Sequence, residues 1–216
     1  LGGQARLGAV AGDDAAGAEL ADLISKAEAG DAAATAELLD AFHGTLQFGT
    51  AGLRGKLGPG SNRMNRVVVA RAAAGLAAYL NERGGSKVVI GYDARRNSDV
   101  FAHDTAKIMR GAGIEALVYP RALPTPTLAF AVKHLQADAG VMVTASHNEN
   151  GWTGVKMGAA RPLTFGPDEM GRLRDIVLAA KFNLVGGGSY EYVYGFADRY
   201  VAQLVDRPKW KRRMKV

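Results

Sequence analysis

The 216-residue sequence contains no cysteine. Disulfides, zinc–thiolate sites, iron–sulfur clusters and cysteine nucleophiles are thereby excluded. No apolar run approaches the ~18 residues that a membrane-spanning helix needs. No basic stretch followed by an apolar one reads as a signal peptide, so the cytoplasm is the expected compartment and no membrane partner is expected. Several familiar signatures are missing too. There is no G-x-x-x-x-G-K-[ST] phosphate loop and no G-x-S-x-G nucleophile elbow. Gly111-Ala112-Gly113 runs on into Ile-Glu-Ala rather than opening a helix with a further glycine, so it is not a dinucleotide fingerprint. His43, His103 and His134 lack metal-ligand spacing and read as surface or helix-end residues. Tryptophan is scarce, with Trp152 and Trp210 alone, and each suits packing as well as stacking on a sugar.

What remains is an ordinary globular composition, 48% hydrophobic and 22% charged, which argues against disorder and low complexity. The length falls between one and two domains and can bury a core without a metal or disulfide staple. The chain opens on Leu1 rather than Met, so residues upstream of it are expected. The net charge of +6 is unevenly spread. Residues 1–40 carry eight acids and two bases, whereas the last ten residues carry six bases and no acid. Much of the excess is thus a terminal cluster, which reads as a solvated linker ahead of a nucleic-acid contact. Nucleic acid is ranked last among the partners, because Trp210 alone supplies aromatic interleaving there.

Leu1 to Gly12 is rich in Gly and Ala and reads as a flexible end. Leu20, Leu23, Ile24, Leu38, Leu39 and Phe42 follow helical spacing, broken at Gly30-Asp31 with Asp31 as N-cap. Leu46 to Gly60 holds five glycines in fifteen residues, too many for a helix or a regular strand. A helix is predicted from Arg66 to Arg83, stopped by Gly84-Gly85. Lys87 to Tyr92 is a buried strand, and Ser98 is expected to cap a helix running to Arg110. Further strands are predicted over Ile114 to Tyr119, Ala139 to Thr144 and, briefly, Val155 to Met157. Pro124 and Pro126 open a helix to His134 or Leu135. Two more helices are expected over Pro167 to Ala180 and Tyr194 to Val205, with Gly186 to Gly188 a linker. No internal repeat is visible.

Strands alternating with helices at this spacing give an α/β fold. Ligands on such sheets bind at the carboxyl ends of the strands, which here are the segments Asp93 to Ser98 and Thr144 to Gly154. The second reads V-M-V-T-A-S-H-N-E-N-G-W-T-G-V-K from Val141. It delivers Ser146 into a polar loop beside His147 and Asn148. Neighbouring side chains on an extended chain point apart, so Ser146 and His147 are not expected to pair directly. Ser146 and Asn148 could equally cap a turn. Phe48 to Gly55, F-G-T-A-G-L-R-G, offers close backbone approach and the Arg54 fork to a phosphate, or is a flexible turn with a surface Arg. In Gly91 to Ser98, Asp93 orients Arg95, or Arg95 reaches an anion above the sheet.

The three segments F-G-T-A-G-L-R-G, G-Y-D-A-R and T-A-S-H-N with a downstream Gly154-Val155-Lys156 occur in one order, and in that order the chain resembles the α-D-phosphohexomutases, specifically the bacterial phosphomannomutase/phosphoglucomutase group. The resemblance runs from about Leu46 to the C-terminus and matches the first of the family's four domains. It implies a three-layer α/β/α domain with a mixed, mostly parallel sheet, preceded by a short helical N-terminal extension. The expected boundaries are 1–43 for the extension, 44–206 for domain I, and 207–216 for a linker and the start of domain II. By resemblance Ser146 carries a phosphoryl group. It passes that group to a hexose monophosphate through a hexose 1,6-bisphosphate that serves as intermediate and activator. Arg54 would stabilise the transferring group, His147 and Lys156 would handle protons, and Thr50, Arg54, Arg95 and Asn148 would bind phosphate or orient the loop. Mg²⁺ would be held by an oxygen of phosphorylated Ser146 and by an acidic D-G-D-G-D-R-type loop in the second domain, a loop this sequence does not contain. Glu149 stands where the family often has Pro, and Thr153 where it often has Asn. The fragment alone is expected to show little mutase activity. The competing reading is a stand-alone phosphate- or partner-binding α/β module without catalysis.

Overall fold

In the computed structural model, residues 14–49, 52–159, 165–182 and 186–206 are described. The N-terminal extension forms a helical hairpin, α1 (Asp14–Glu28) and α2 (Ala32–Ala41). Gly30 turns the chain at φ +92°, a conformation glycine adopts without strain. The Asp31 carboxylate then accepts from the N–H groups of Ala33 (2.8 Å) and Ala34 (3.1 Å), capping α2 as its sequence position predicts. Leu20 and Leu38 close a small core between the two helices. The hairpin docks through Arg63, 3% exposed, which donates to Glu37 Oε1 (Nη2, 2.6 Å) and to Asp40 Oδ2.

The remaining elements are β1 (Phe48–Gly49), β2 (Gly52–Lys56), α3 (Arg66–Glu82), β3 (Lys87–Tyr92), α4 (Ser98–Gly111), β4 (Glu115–Val118), α5 (Thr125–His134), β5 (Ala139–Val143), β6 (Trp152–Ala159), α6 (Pro167–Ala179), β7 (Tyr190–Tyr192) and α7 (Phe196–Asp206). The strands form one sheet in the order β1-β2-β6-β5-β3-β4-β7. β5, β3, β4 and β7 pair in parallel, and β1, β2 and β6 are joined by antiparallel ladders. Five of the seven strands share one direction, with β1 and β6 opposed. The chain steps from β3 to β4 in one direction and back across β3 to β5 in the other. Right-handed crossovers then place α4 and α5 on opposite faces. α3 packs beside α4 and α6 beside α3, and α7 packs on α5, completing three layers. All five residues of β5, and Val88, Val89 and Ile90 of β3, are buried, as central parallel strands require. Among the described residues no helix is long and apolar enough to cross a membrane.

The structure corrects several expectations. Leu46 to Gly60 is not free of strand: it holds β1 and β2. Gly52 serves close approach rather than a turn, because a Cβ there would run into the Val155 carbonyl of β6. β6 extends well beyond Val155 to Met157, since it is paired on both edges. Ser98 is the first residue of α4 rather than its cap. Asn97 occupies the cap position at φ 63°, and the Ser98 hydroxyl donates to Asp93 Oδ1 at 2.8 Å. Gly186 to Gly188 is not a bare linker: Gly188 lies against the backbone of Ile114 and Arg110 and feeds the unforeseen edge strand β7 onto β4. α7 begins at Phe196, not Tyr194. The flexible end expected at Leu1 to Gly12, the linker at 207–216 and Trp210 lie outside the described residues.

Candidate active site

Two loops leave adjacent parallel strands at their carboxyl ends: 93–97 after β3 and 144–151 after β5. Asp93 N–H still donates to Val143 O (3.1 Å), so the loops remain side by side past the last ladder pair. The β5 loop is tied down at both ends. Thr144 N–H donates to Gly154 O at 2.9 Å, and Leu57 N–H donates to Gly151 O at 2.8 Å.

Ser146 sits in this loop with φ 58°, a left-handed conformation uncommon for a residue with a Cβ. Such strain persists where its surroundings over-determine it. Ser146 N–H donates to Thr144 Oγ1 (3.0 Å), Asn148 N–H donates to Ala145 O (3.1 Å), and Ser146 O accepts from Arg95 Nη2 (3.2 Å). The left-handed turn overturns the expectation that Ser146 and His147 point apart. Ser146 Oγ and His147 Nδ1 lie 3.2 Å from one another, within hydrogen-bond reach. The alternation that separates neighbours holds for an extended chain, and this backbone is not extended. Ser146 is half-buried and His147 exposed, so the pair opens to solvent.

Arg95 turns toward the loop. Nη1 donates to the carbonyls of Glu149 (3.1 Å) and Trp152 (3.1 Å), and Nη2 to those of Ser146 (3.2 Å) and Asn148 (2.6 Å). Its Nε faces Asp93 Oδ2 at 3.5 Å. Asp93 Oδ1 in turn accepts from Arg95 N–H at 3.0 Å, so Asp93 orients Arg95 as one of the two readings of that segment expected. Glu149 Oε1 accepts from Trp152 Nε1 at 3.1 Å, which gives the residue standing in place of Pro a local role.

Arg54 and Lys156 come from neighbouring strands. Arg54 pairs with Gly154, and Lys156 with Gly52 and Met142. Opposed residues of an antiparallel ladder share a face, so Arg54 and Lys156 project from the same side of the β2–β6 pair. Arg54 is exposed and Lys156 half-buried, and neither is held in an ion pair among the described residues. Gly154 leaves room for Arg54: its missing side chain would stand 2.9 Å from Arg54 Cγ. Thr50 lies outside the described residues. Asn148 contributes its backbone N–H and C=O to the loop.

The structure thus gathers Ser146, His147, Asn148 and Arg95 in one loop cluster and sets Arg54 and Lys156 on one face of the adjoining ladder. Thr144 was missed as a side chain that holds Ser146. Its signal was present, since a Thr two residues before a backbone N–H is the spacing of a hydroxyl-capped turn. Among the described residues, no three His, Asp or Glu side chains gather to hold a metal ion.

The family model for phosphoglucomutase/phosphomannomutase, alpha/beta/alpha domain I, matches residues 45–184. A Haemophilus influenzae protein named "Probable phosphomannomutase" is 59% identical over 95 residues, covering 41% of this chain and 19% of its own length. A phosphoglucomutase of Staphylococcus saprophyticus is 44% identical over 117 residues, covering 54% of this chain and 21% of its own. Among solved structures, a phosphoglucomutase/phosphomannomutase family protein from Burkholderia thailandensis superposes with a TM-score of 0.67 at 28% identity, over 76% of this chain and 36% of that one. The chain therefore spans about a fifth of the length of the curated relatives it matches. With the three-layer fold, the matched stretch and the T-A-S-H-N loop in agreement, this chain belongs to the phosphoglucomutase/phosphomannomutase family and carries its α/β/α domain I.

Proposed function

We propose that this chain is the phosphoryl-carrying part of a phosphohexomutase, an isomerase that interconverts hexose 1-phosphate and hexose 6-phosphate. The observation that carries the reading is the Ser146 Oγ to His147 Nδ1 contact of 3.2 Å, held at the carboxyl end of β5 by a left-handed turn. A serine hydroxyl needs a proton acceptor when it attacks phosphorus, and His147 Nδ1 is in place to be one. As Ser146 Oγ bonds to a phosphoryl group of a hexose 1,6-bisphosphate, the bond from that phosphorus to the sugar oxygen breaks. The proton taken from Ser146 returns to the sugar oxygen, and hexose monophosphate leaves. In the reverse sense the free hydroxyl of a hexose monophosphate bonds to that phosphorus, the Ser146 Oγ–P bond breaks, and the hydroxyl's proton passes to Ser146 Oγ by way of His147. Little covalent chemistry is asked of the protein beyond positioning and charge neutralisation. Arg54 supplies a planar fork suited to the phosphoryl oxygens, and Lys156 supplies a further positive charge on the same face.

The domain division follows the same reading: extension to residue 43, domain I over 44–206, and a linker from 207. Mg²⁺, bound through an oxygen of phosphorylated Ser146, would neutralise charge on the transferring group. Among the described residues no three His, Asp or Glu side chains gather to hold it, and its other ligands would come from the acidic loop of a second domain of the kind the family has. A doubly phosphorylated sugar does not cross a bilayer unaided, so the reaction is placed in the cytoplasm. Full mutase turnover is assigned to the intact enzyme, and this chain alone is expected to show none in a coupled assay.

The test is a single-turnover experiment with hexose 1,6-bisphosphate. Wild-type chain should release up to one equivalent of hexose monophosphate, and Ser146→Ala none. Binding of the bisphosphate without release would instead favour a phosphate-binding module.

A further inference from the structure

The guanidinium of Arg95 has five N–H donors, and the four on Nη1 and Nη2 are met by protein carbonyls. Two on Nη1 meet Glu149 O and Trp152 O, two on Nη2 meet Ser146 O and Asn148 O, and Nε lies 3.5 Å from Asp93 Oδ2 in an ion pair. Three of these acceptors are backbone carbonyls of the 144–151 loop and the fourth is that of Trp152, the first residue of β6; they lie 51 to 57 residues further along the chain. A phosphate at Arg95 would have to displace them. The planar fork reaches two carbonyls on each arm, which an ammonium with three donors on one atom does not reproduce. Asp93 ties the other end of the strut to the start of α4, because the same carboxylate accepts from Ser98 Oγ (2.8 Å) and Arg95 N–H (3.0 Å).

We propose that Arg95 is a positioning residue, not a phosphate ligand: its guanidinium clamps the carbonyls of the 146–152 segment and so holds Ser146 in its left-handed turn beside His147. The catalytic consequence rests on Ser146 being the phosphoryl carrier; the clamp itself does not. Without it the Ser146 and Asn148 carbonyls lose their donor, the turn relaxes toward ordinary φ values, and the Oγ–Nδ1 contact opens. A misplacement of about 1 Å at a reacting group can cost about 10²-fold in rate.

The test uses Arg95→Lys and Arg95→Ala in the full chain, with a thermal melt to establish that each is folded. Hydrogen exchange of the amides in 144–152 and the emission of Trp152, isolated in a Trp210→Phe background, report loop geometry without any phosphate donor. Single-turnover transfer from hexose 1,6-bisphosphate reports its consequence. Both variants should exchange these amides faster and shift the Trp152 emission. Their saturating transfer rate should fall by about 10²-fold while half-saturation stays close to the wild-type value. Added guanidinium ion should partly restore Arg95→Ala, and Arg95→Lys should remain impaired. Unchanged exchange and emission would overturn the proposal. So would an unchanged saturating rate with half-saturation moved to much higher bisphosphate concentration, the mark of a lost phosphate ligand. If the wild-type chain accepts no phosphate, the phosphohexomutase reading fails separately, and the exchange and emission arms still decide for or against the clamp.

Discussion

Arg54 lies across Gly154. The two residues are opposed in the β2–β6 ladder, and Arg54 Cγ comes within 2.9 Å of the place a Gly154 Cβ would occupy. The same Cβ would meet the Leu53 carbonyl, and the Thr144 carbonyl at 3.1 Å. Gly154→Ala therefore pushes on a strand, on the start of the Ser146 loop and on Arg54 at once. Overpacking of this kind costs about 1–3 kcal/mol. The denaturation midpoint should fall accordingly, and transfer to Ser146 should slow further than the stability loss explains, because Arg54 is moved.

His147 offers a cleaner separation of chemistry from folding. It is exposed, so His147→Gln should leave the denaturation midpoint within about 0.5 kcal/mol of wild type. Loss of a proton acceptor costs about 10²–10⁴-fold in rate. Single-turnover transfer from hexose 1,6-bisphosphate should drop within that range. A His147→Gln chain that transfers at the wild-type rate removes His147 from the proton path.

The N-terminal hairpin is held by Arg63 together with Asn62, whose N–H and side-chain amide donate to Ala41 O (3.0 Å) and Asp40 O (3.1 Å). The Arg63 guanidinium is buried while Glu37 and Asp40 remain about half exposed at 46% and 60%. Arg63→Ala forfeits the charge-assisted hydrogen bonds to Glu37 and Asp40. Residues of α1 and α2 should then become susceptible to limited proteolysis at neutral pH, with domain I still folded. The latch also carries a pH dependence. The hydrogen bond from Arg63, then its charge, holds the Asp40 carboxyl below its ordinary value near 3.8. That stabilisation is complete above 3.8 and is lost as pH falls through the lower folded value. Hairpin protection should therefore persist at pH 5 and fail only in stronger acid. Loss of protection at pH 5 would contradict the Asp40 contribution.

The central strands were legible because burial on both faces leaves a continuous apolar run, as in Lys87–Tyr92 and Ala139–Val143. β2 was not, because Gly52 reads as a turn residue when its real service is to let β6 approach. β7 was hidden for another reason. Tyr190–Tyr192 is a short edge strand, half exposed and preceded by glycines, and only its pairing with β4 makes it a strand. The site divides the same way. Ser146 could be located at the end of a strand from the sequence. Its contact with His147 could not, since it depends on a positive φ at a residue with a Cβ. Nor could the target of Arg95, because nothing local says which carbonyls will face it across more than 50 residues of chain. Asp31 as the cap of α2 was legible, because an N-cap is set by its own next three residues.

The central claim is that Ser146 receives the phosphoryl group. Its most direct test is to incubate the chain with hexose 1,6-bisphosphate, digest it, and locate any phosphate by fragmentation mass spectrometry, with Ser146→Ala alongside. The account predicts one phosphate, on Ser146, absent from the variant. Phosphate on another residue, or phosphate that persists in Ser146→Ala, would contradict it.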